Sequence, residues 1–136
     1  MTEVTFVRDG NSLVSFSASG HTGYAPEGED IVCAALSTLL QAAVFSFSII
    51  CEPPPEVRME KGTMFCSILD VHELFTYEVR AEVQAIMRHT LFAVMNVAAS
   101  HSNYISLKVE NWPTWEEAYN SLQFKRLAEE LLSFQS

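Results

Sequence analysis

The stretch GHTGYAPEGEDIVCAALSTL, residues 20–39, holds a histidine in a glycine-rich loop and a cysteine twelve residues later, at the head of a long apolar run. Gly20, Gly23, Pro26 and Gly28 interrupt any regular element, so residues 21–29 read as a loop. Asp30 reads as the N-cap of the helix that follows, because an aspartate side chain accepts from the free amides of a first turn. On that reading Cys33 lies in the first turn, where the dipole and the unpaired N–H groups favour a thiolate. Asp30, Cys33 and Ser37 fall at i, i+3 and i+7 and share one stripe of the helix. His21 facing such a cysteine makes an activated nucleophile.

On the N-terminal side, residues 3–8 and 12–18 alternate: Val4 and Phe6 on one face, then Val14, Phe16 and Ala18. Asp9-Gly10-Asn11 between them is a strong turn signal, so this is a hairpin with one buried face. It delivers the chain directly to Gly20 and His21. On the C-terminal side a helix spans about residues 30–50, and Pro53-Pro54-Pro55 ends it. A second hairpin follows at 56–61 and 63–70 around Lys61-Gly62. Helical spacing returns over 73–100, with Val79, Val83, Ile86, Thr90, Leu91, Val94 and Ala98 three and four apart. Residues 104–110 form a short final strand through Ile105, Leu107 and Val109.

The order ββαββαβ predicts an α+β fold, a mostly antiparallel sheet with two long helices packed on it and an extra C-terminal helix. Residues 1–110 make the main domain. Residues 111–136 read as a helical extension on the same domain or on a dimer partner, since Trp115, Tyr119 and Phe124 need cover.

The chain has 136 residues, one domain by size. With 8 Lys+Arg against 17 Asp+Glu its formal charge is −9. That balance argues against a nucleic-acid backbone as direct partner and suits a basic protein or peptide. Three cysteines, Cys33, Cys51 and Cys66, do not form a disulfide framework. None pairs with a histidine at zinc-site spacing, so no metal is expected. MTEVTFVRDG has no basic stretch followed by an apolar one, so the expected compartment is the cytoplasm. The run Ile31 to Cys51 is long enough to span a bilayer, but it contains Ser37, Thr38, Gln41, Ser46 and Ser48 and has no Lys or Arg nearby. It reads as the buried centre of a domain, with no membrane partner.

The same stretch, GHTGYAPEGEDIVCAALS, resembles the signature of the ribosomal-processing cysteine protease family (Prp, or YsxB-like): G-H-A-G-Y-A, a short acidic loop, then D-I-V-C-A-A-V-S. The match is continuous over about eighteen positions, with conservative changes at Thr22 and Leu36. The resemblance implies a cytoplasmic cysteine endopeptidase, usually a homodimer, with no cofactor. It implies removal of a short N-terminal extension from large-subunit ribosomal protein twenty-seven. It makes His21 and Cys33 the catalytic dyad and gives Asp30 and Ser37 supporting roles. The segment 111–136 is longer than the family usually carries.

Each residue also has a plainer reading. Without the signature, Cys33 is a small core residue and His21 an ordinary loop histidine. Asp30 either caps the helix, orients His21 or binds substrate, and Ser37 is a substrate donor or merely a small helix residue. Gly20 permits unusual loop angles, while Tyr24 stacks on substrate or packs the loop. Cys51 and Cys66 read as core filling, and His72, His89 and His101 as surface or boundary residues. The alternative function is a catalytically silent, ribosome-associated binding module of the same fold. A thiol redox protein is disfavoured by the lack of Cys-x-x-Cys. First-turn amides near Cys33 are the expected oxyanion donors.

Overall fold

A computed structural model describes residues 1–20, 27–111 and 130, and of residues 27–30 the backbone only. The elements are β1 (Thr2–Asp9), β2 (Ser12–Ser19), α1 (Glu27–Ile50), β3 (Glu56–Glu60), β4 (Thr63–Ser67), α2 (Tyr77–Ser100) and β5 (Ile105–Asn111). A short 3-10 turn, His72–Leu74, precedes α2. The expected α+β order is present. Beyond Asn111, the expected C-terminal helix lies outside the described residues apart from Glu130.

The sheet order is β3-β4-β2-β1-β5. Pairings β1/β2, β2/β4 and β3/β4 are antiparallel, and β5 runs parallel to β1 with Thr2 opposite Ile105. The sheet is therefore mixed. Both strand pairs of the hairpins turn on glycines at positive φ, Gly10 at +62° and Gly62 at +83°. A tight turn cannot deliver a parallel strand. Here α2 lies between β4 and β5 in the chain, and β5 starts beside the beginning of β1.

Strand alternation puts Val4, Phe6, Phe16, Cys66 and Ile105 in one core with Leu36, Leu40 and Phe47 of α1 and Val83, Met87 and Val94 of α2. The β2/β4 ladder begins only at Ser15, and Gln84 of α2 takes up the backbone of Leu13 beyond it. Its Nε2 donates to Leu13 O and its Oε1 accepts from Leu13 N, both at 2.8 Å. A side-chain amide thereby stands in for a strand and ties α2 to β2.

Ile31–Ile50 is long and apolar enough, by length and composition, to cross a membrane. Its inner stripe, Val32, Leu36, Leu40, Ala43 and Phe47, is buried in the core, while Phe45 and Ile49 remain 68% exposed. Thr38, Ser46 and Ser48 return their hydroxyls to the carbonyls of Ala34, Ala42 and Val44, so they add little polar cost to the helix.

Two boundaries differ from the sequence reading. The second hairpin is shorter, ending at Glu60 and Ser67. The second helix begins at Tyr77, capped by Thr76, whose Oγ1 accepts from Val79 N at 3.3 Å. The apolar spacing extends upstream of that cap, but the 3-10 turn and not α2 carries it.

Candidate active site

Helix α1 begins at Glu27, three residues earlier than the sequence suggested. Asp30 is therefore inside the helix backbone and is not its N-cap. The residue types explain this, since acidic residues complement a helix N-terminus and one glycine there costs only about 1 kcal/mol. Cys33 consequently occupies the second turn. The unpaired amides of a helix belong to its first four residues, here 27–30, so the expectation of first-turn oxyanion donors beside Cys33 is corrected as well.

Cys33 and Ser37 line the α1 side of a cleft of about 260 Å³. Ala18, Ser19 and Gly20 close it at the end of β2, and Met59, Gly62 and Met64 of the β3–β4 hairpin form the opposite wall. Leu36 and Leu40 make the adjoining surface apolar, while Gln41 and Glu60 supply polar groups. The walls are held together by backbone, as Gly20 N donates to Gly62 O at 3.0 Å. The strand end that leads into His21 is thus fixed to the hairpin turn.

The Cys33 sulfur is 3.2 Å from Thr2 Oγ1. Thr2 is itself 6% exposed and donates its N–H to Tyr104 O at 2.8 Å. Ser37 is exposed one turn beyond Cys33. His21 and Tyr24 lie outside the described residues, as does the side chain of Asp30. His72 bonds Leu69 O through Nδ1 at 2.8 Å and reaches Glu73 through Nε2 at 3.0 Å, and it does not line the cleft. His89 and His101 are exposed.

The other two cysteines are core residues, as expected: Cys51 is 4% and Cys66 0% exposed. Burial, and then the Glu82 carboxylate, push the Cys51 thiol up to about 11. Burial, and then Cys51, push Cys66 up to about 12. Both stay protonated at neutral pH, and a thiol is a poor nucleophile. Iodoacetamide at neutral pH is therefore expected to label Cys33 at least about tenfold faster than either, as read by peptide mapping of the folded protein. Equal labelling of all three would contradict the placement of Cys33 in an open cleft.

The sequence reading did not single out Thr2, Met59 or Met64. Thr2 had a signal: it is the first inward position of the alternation that continues through Val4 and Phe6, and it is polar. Met59 and Met64 had none, because their place depends on the hairpin register that sets them opposite each other.

A model of the family described as cysteine protease Prp matches residues 1–106. The chain belongs to the cysteine protease Prp family. Among solved structures, the Streptococcus mutans protein SMU.848 is 26% identical with a TM-score of 0.72, over 82% of this chain and 96% of that one. The ribosomal processing protease Prp from S. aureus, in complex with a substrate peptide, is 18% identical with a TM-score of 0.67, over 81% of this chain and 100% of that one. The same S. aureus protease with a covalently linked product peptide gives 19% and 0.64 over the same shares. No curated protein matches. The Prp fold thus accounts for the sheet and both helices.

Proposed function

We propose that this chain is a cysteine endopeptidase that removes a short N-terminal extension from large-subunit ribosomal protein twenty-seven. Membership of a cysteine protease family gives the reaction type. The observation that carries the assignment within the chain is the location of Cys33, half-buried at a cleft, while Cys51 and Cys66 are enclosed in the core. His21 directly follows Gly20, whose backbone lines the same cleft, and this supports His21 as the partner base.

In the proposed mechanism His21 takes the Cys33 thiol proton and the sulfur attacks the scissile carbonyl carbon. The tetrahedral intermediate collapses as His21 returns that proton to the leaving amine. Water, deprotonated by His21, then hydrolyses the thioester and frees the thiol. Ser37, one turn along the same helix face and on the same cleft, is assigned to holding the peptide. Asp30 is assigned to orienting His21 or binding substrate, and Tyr24 to the peptide. The apolar wall of Met59, Met64 and Leu40 suits an uncharged substrate side chain. The formal charge of −9 suits a basic ribosomal protein as partner, with no direct contact to nucleic acid. The working form is a cytoplasmic homodimer.

The test is incubation of a peptide spanning the extension junction of the host's own ribosomal protein. Cutting at one bond, abolished when Cys33 is alkylated beforehand, is the expected result. An uncut peptide with folded, dimeric protein would move the assignment to a binding module or a different substrate.

A further inference from the structure

We infer that Thr2 is a positioning residue for the nucleophile: its hydroxyl fixes the direction of the Cys33 sulfur and donates to the thiolate. This rests on the reading of Cys33 as the attacking group. The observation is the 3.2 Å approach of Thr2 Oγ1 to Cys33 Sγ, from the first residue of β1 to the second turn of α1.

Three features hold that hydroxyl in place. The Thr2 backbone is fixed in the sheet, paired with Ile105 of β5 and bonded through its N–H to Tyr104 O. Its side chain is β-branched, which restricts rotation about the Cα–Cβ bond. It also packs against residue 20, where a Cβ would come within 2.8 Å of Oγ1 and 3.4 Å of both Cβ and Cγ2. Glycine at position 20 is therefore what makes room for the Thr2 side chain. Gly20 thus serves Cys33 by a route distinct from loop flexibility.

The chemistry follows from the proton count. Between a thiol and a hydroxyl the hydrogen bond runs in either direction. Once the Cys33 proton has passed to the base, the sulfur is acceptor only, and Oγ1–H must donate. A hydrogen bond to a charged acceptor is stronger than one between neutral groups. The contact therefore strengthens on ionisation and favours the reactive form. No bond to Thr2 forms or breaks in the reaction. Packing alone gives no reason for a hydroxyl here, since the neighbouring inward positions are Val4 and Phe6, and an unbonded hydroxyl in that face is costly.

The experiment measures Cys33 alkylation by iodoacetamide at pH 6.5 and pH 10 in the full chain, with Thr2→Val, Thr2→Ser and Gly20→Ala beside the wild type. Thr2→Val keeps the shape and removes the hydrogen bond. It is expected to slow labelling about tenfold at pH 6.5, with the gap closing at pH 10, above the range in which free cysteine in general gives up its proton. Thr2→Ser is expected to restore the rate to within about twofold, since the donor is retained. Gly20→Ala should reproduce the Thr2→Val deficit, and it should add nothing further in a Thr2→Ala background, where Oγ1 and Cγ2 are gone and only Cβ, at an ordinary contact distance of 3.4 Å, remains. Equal labelling of Thr2→Val and wild type at pH 6.5 overturns the inference. So does an equal slowing at both pH values, which would mean altered access. Junction-peptide cleavage by the same proteins separates this from the proposed function. Cleavage that does not depend on Cys33 defeats that function. Cleavage that depends on Cys33, with kcat unchanged in Thr2→Val, defeats only the role of Thr2.

Discussion

Cys33→Ala is expected to reduce junction-peptide cleavage by at least about 10⁴-fold, the scale on which hydrolases lose activity with their nucleophile. Among the described residues no second thiol lines the cleft, because Cys51 and Cys66 are enclosed and held protonated. The substitution should leave the fold almost untouched. Cys33 is only half-buried, and the alanine loses one hydrogen bond, to Thr2. Stability should therefore change by about 1 kcal/mol or less. Mass spectrometry of the peptide products, beside a denaturant melt of the same protein, reads both quantities. Cutting by both proteins would mean that the nucleophile is another residue. A large loss of stability would mean that Cys33 is chiefly a packing residue.

Phe6→Ala should have the largest effect on stability, about 3–5 kcal/mol. Phe6 and Phe16 are both fully buried on adjacent strands, with ring centroids 5.6 Å apart and planes tilted by 39°. β1 lies between β2 and β5, so a void there weakens contacts to both neighbours and to the helices above them. Against the usual total of about 5–15 kcal/mol, such a loss leaves the domain marginal. The guanidinium midpoint should fall sharply with an unchanged slope. Arg58→Ala is a suitable contrast. Its ion pair to Glu56 is short, 2.6 Å, but the arginine side chain is 72% exposed, and exposed pairs contribute little. If Phe6→Ala costs less than about 1 kcal/mol, the core has closed over the void, contrary to the usual behaviour of a packed interior.

The strands and helices were legible because their apolar periods are clean. Val4 and Phe6 alternate, and Leu36, Leu40 and Phe47 recur at helical spacing. The start of α1 is obscured in the sequence because glycines and a proline read as loop, and acidic residue types are compatible with both a cap and a first turn. Parallel pairing of β5 was not visible, since a strand's own sequence records which face is buried and not which neighbour it meets. The cleft was legible in part. Cys33, Ser37 and Gly20 were found through one continuous motif, while Thr2 came from the other side of the fold and needed the register to place it. His21 and Tyr24 remain assigned from the motif alone.

The parallel pairing of β5 with β1 bears on the order in which the molecule assembles. Both hairpins and both helices are made from contacts near in sequence, whereas the bonds from Arg8 to Asn111 join residues 103 apart. Closing so long a loop is entropically the most demanding step and is not compensated until the ends meet. The N–H of Thr2 is held by Tyr104, on the approach to that last strand. The contact between Thr2 and Cys33 is therefore completed only after nearly the whole domain is available to fold, and on the proposed function competence for cleavage would arrive with the final strand rather than with the helix that carries the cysteine.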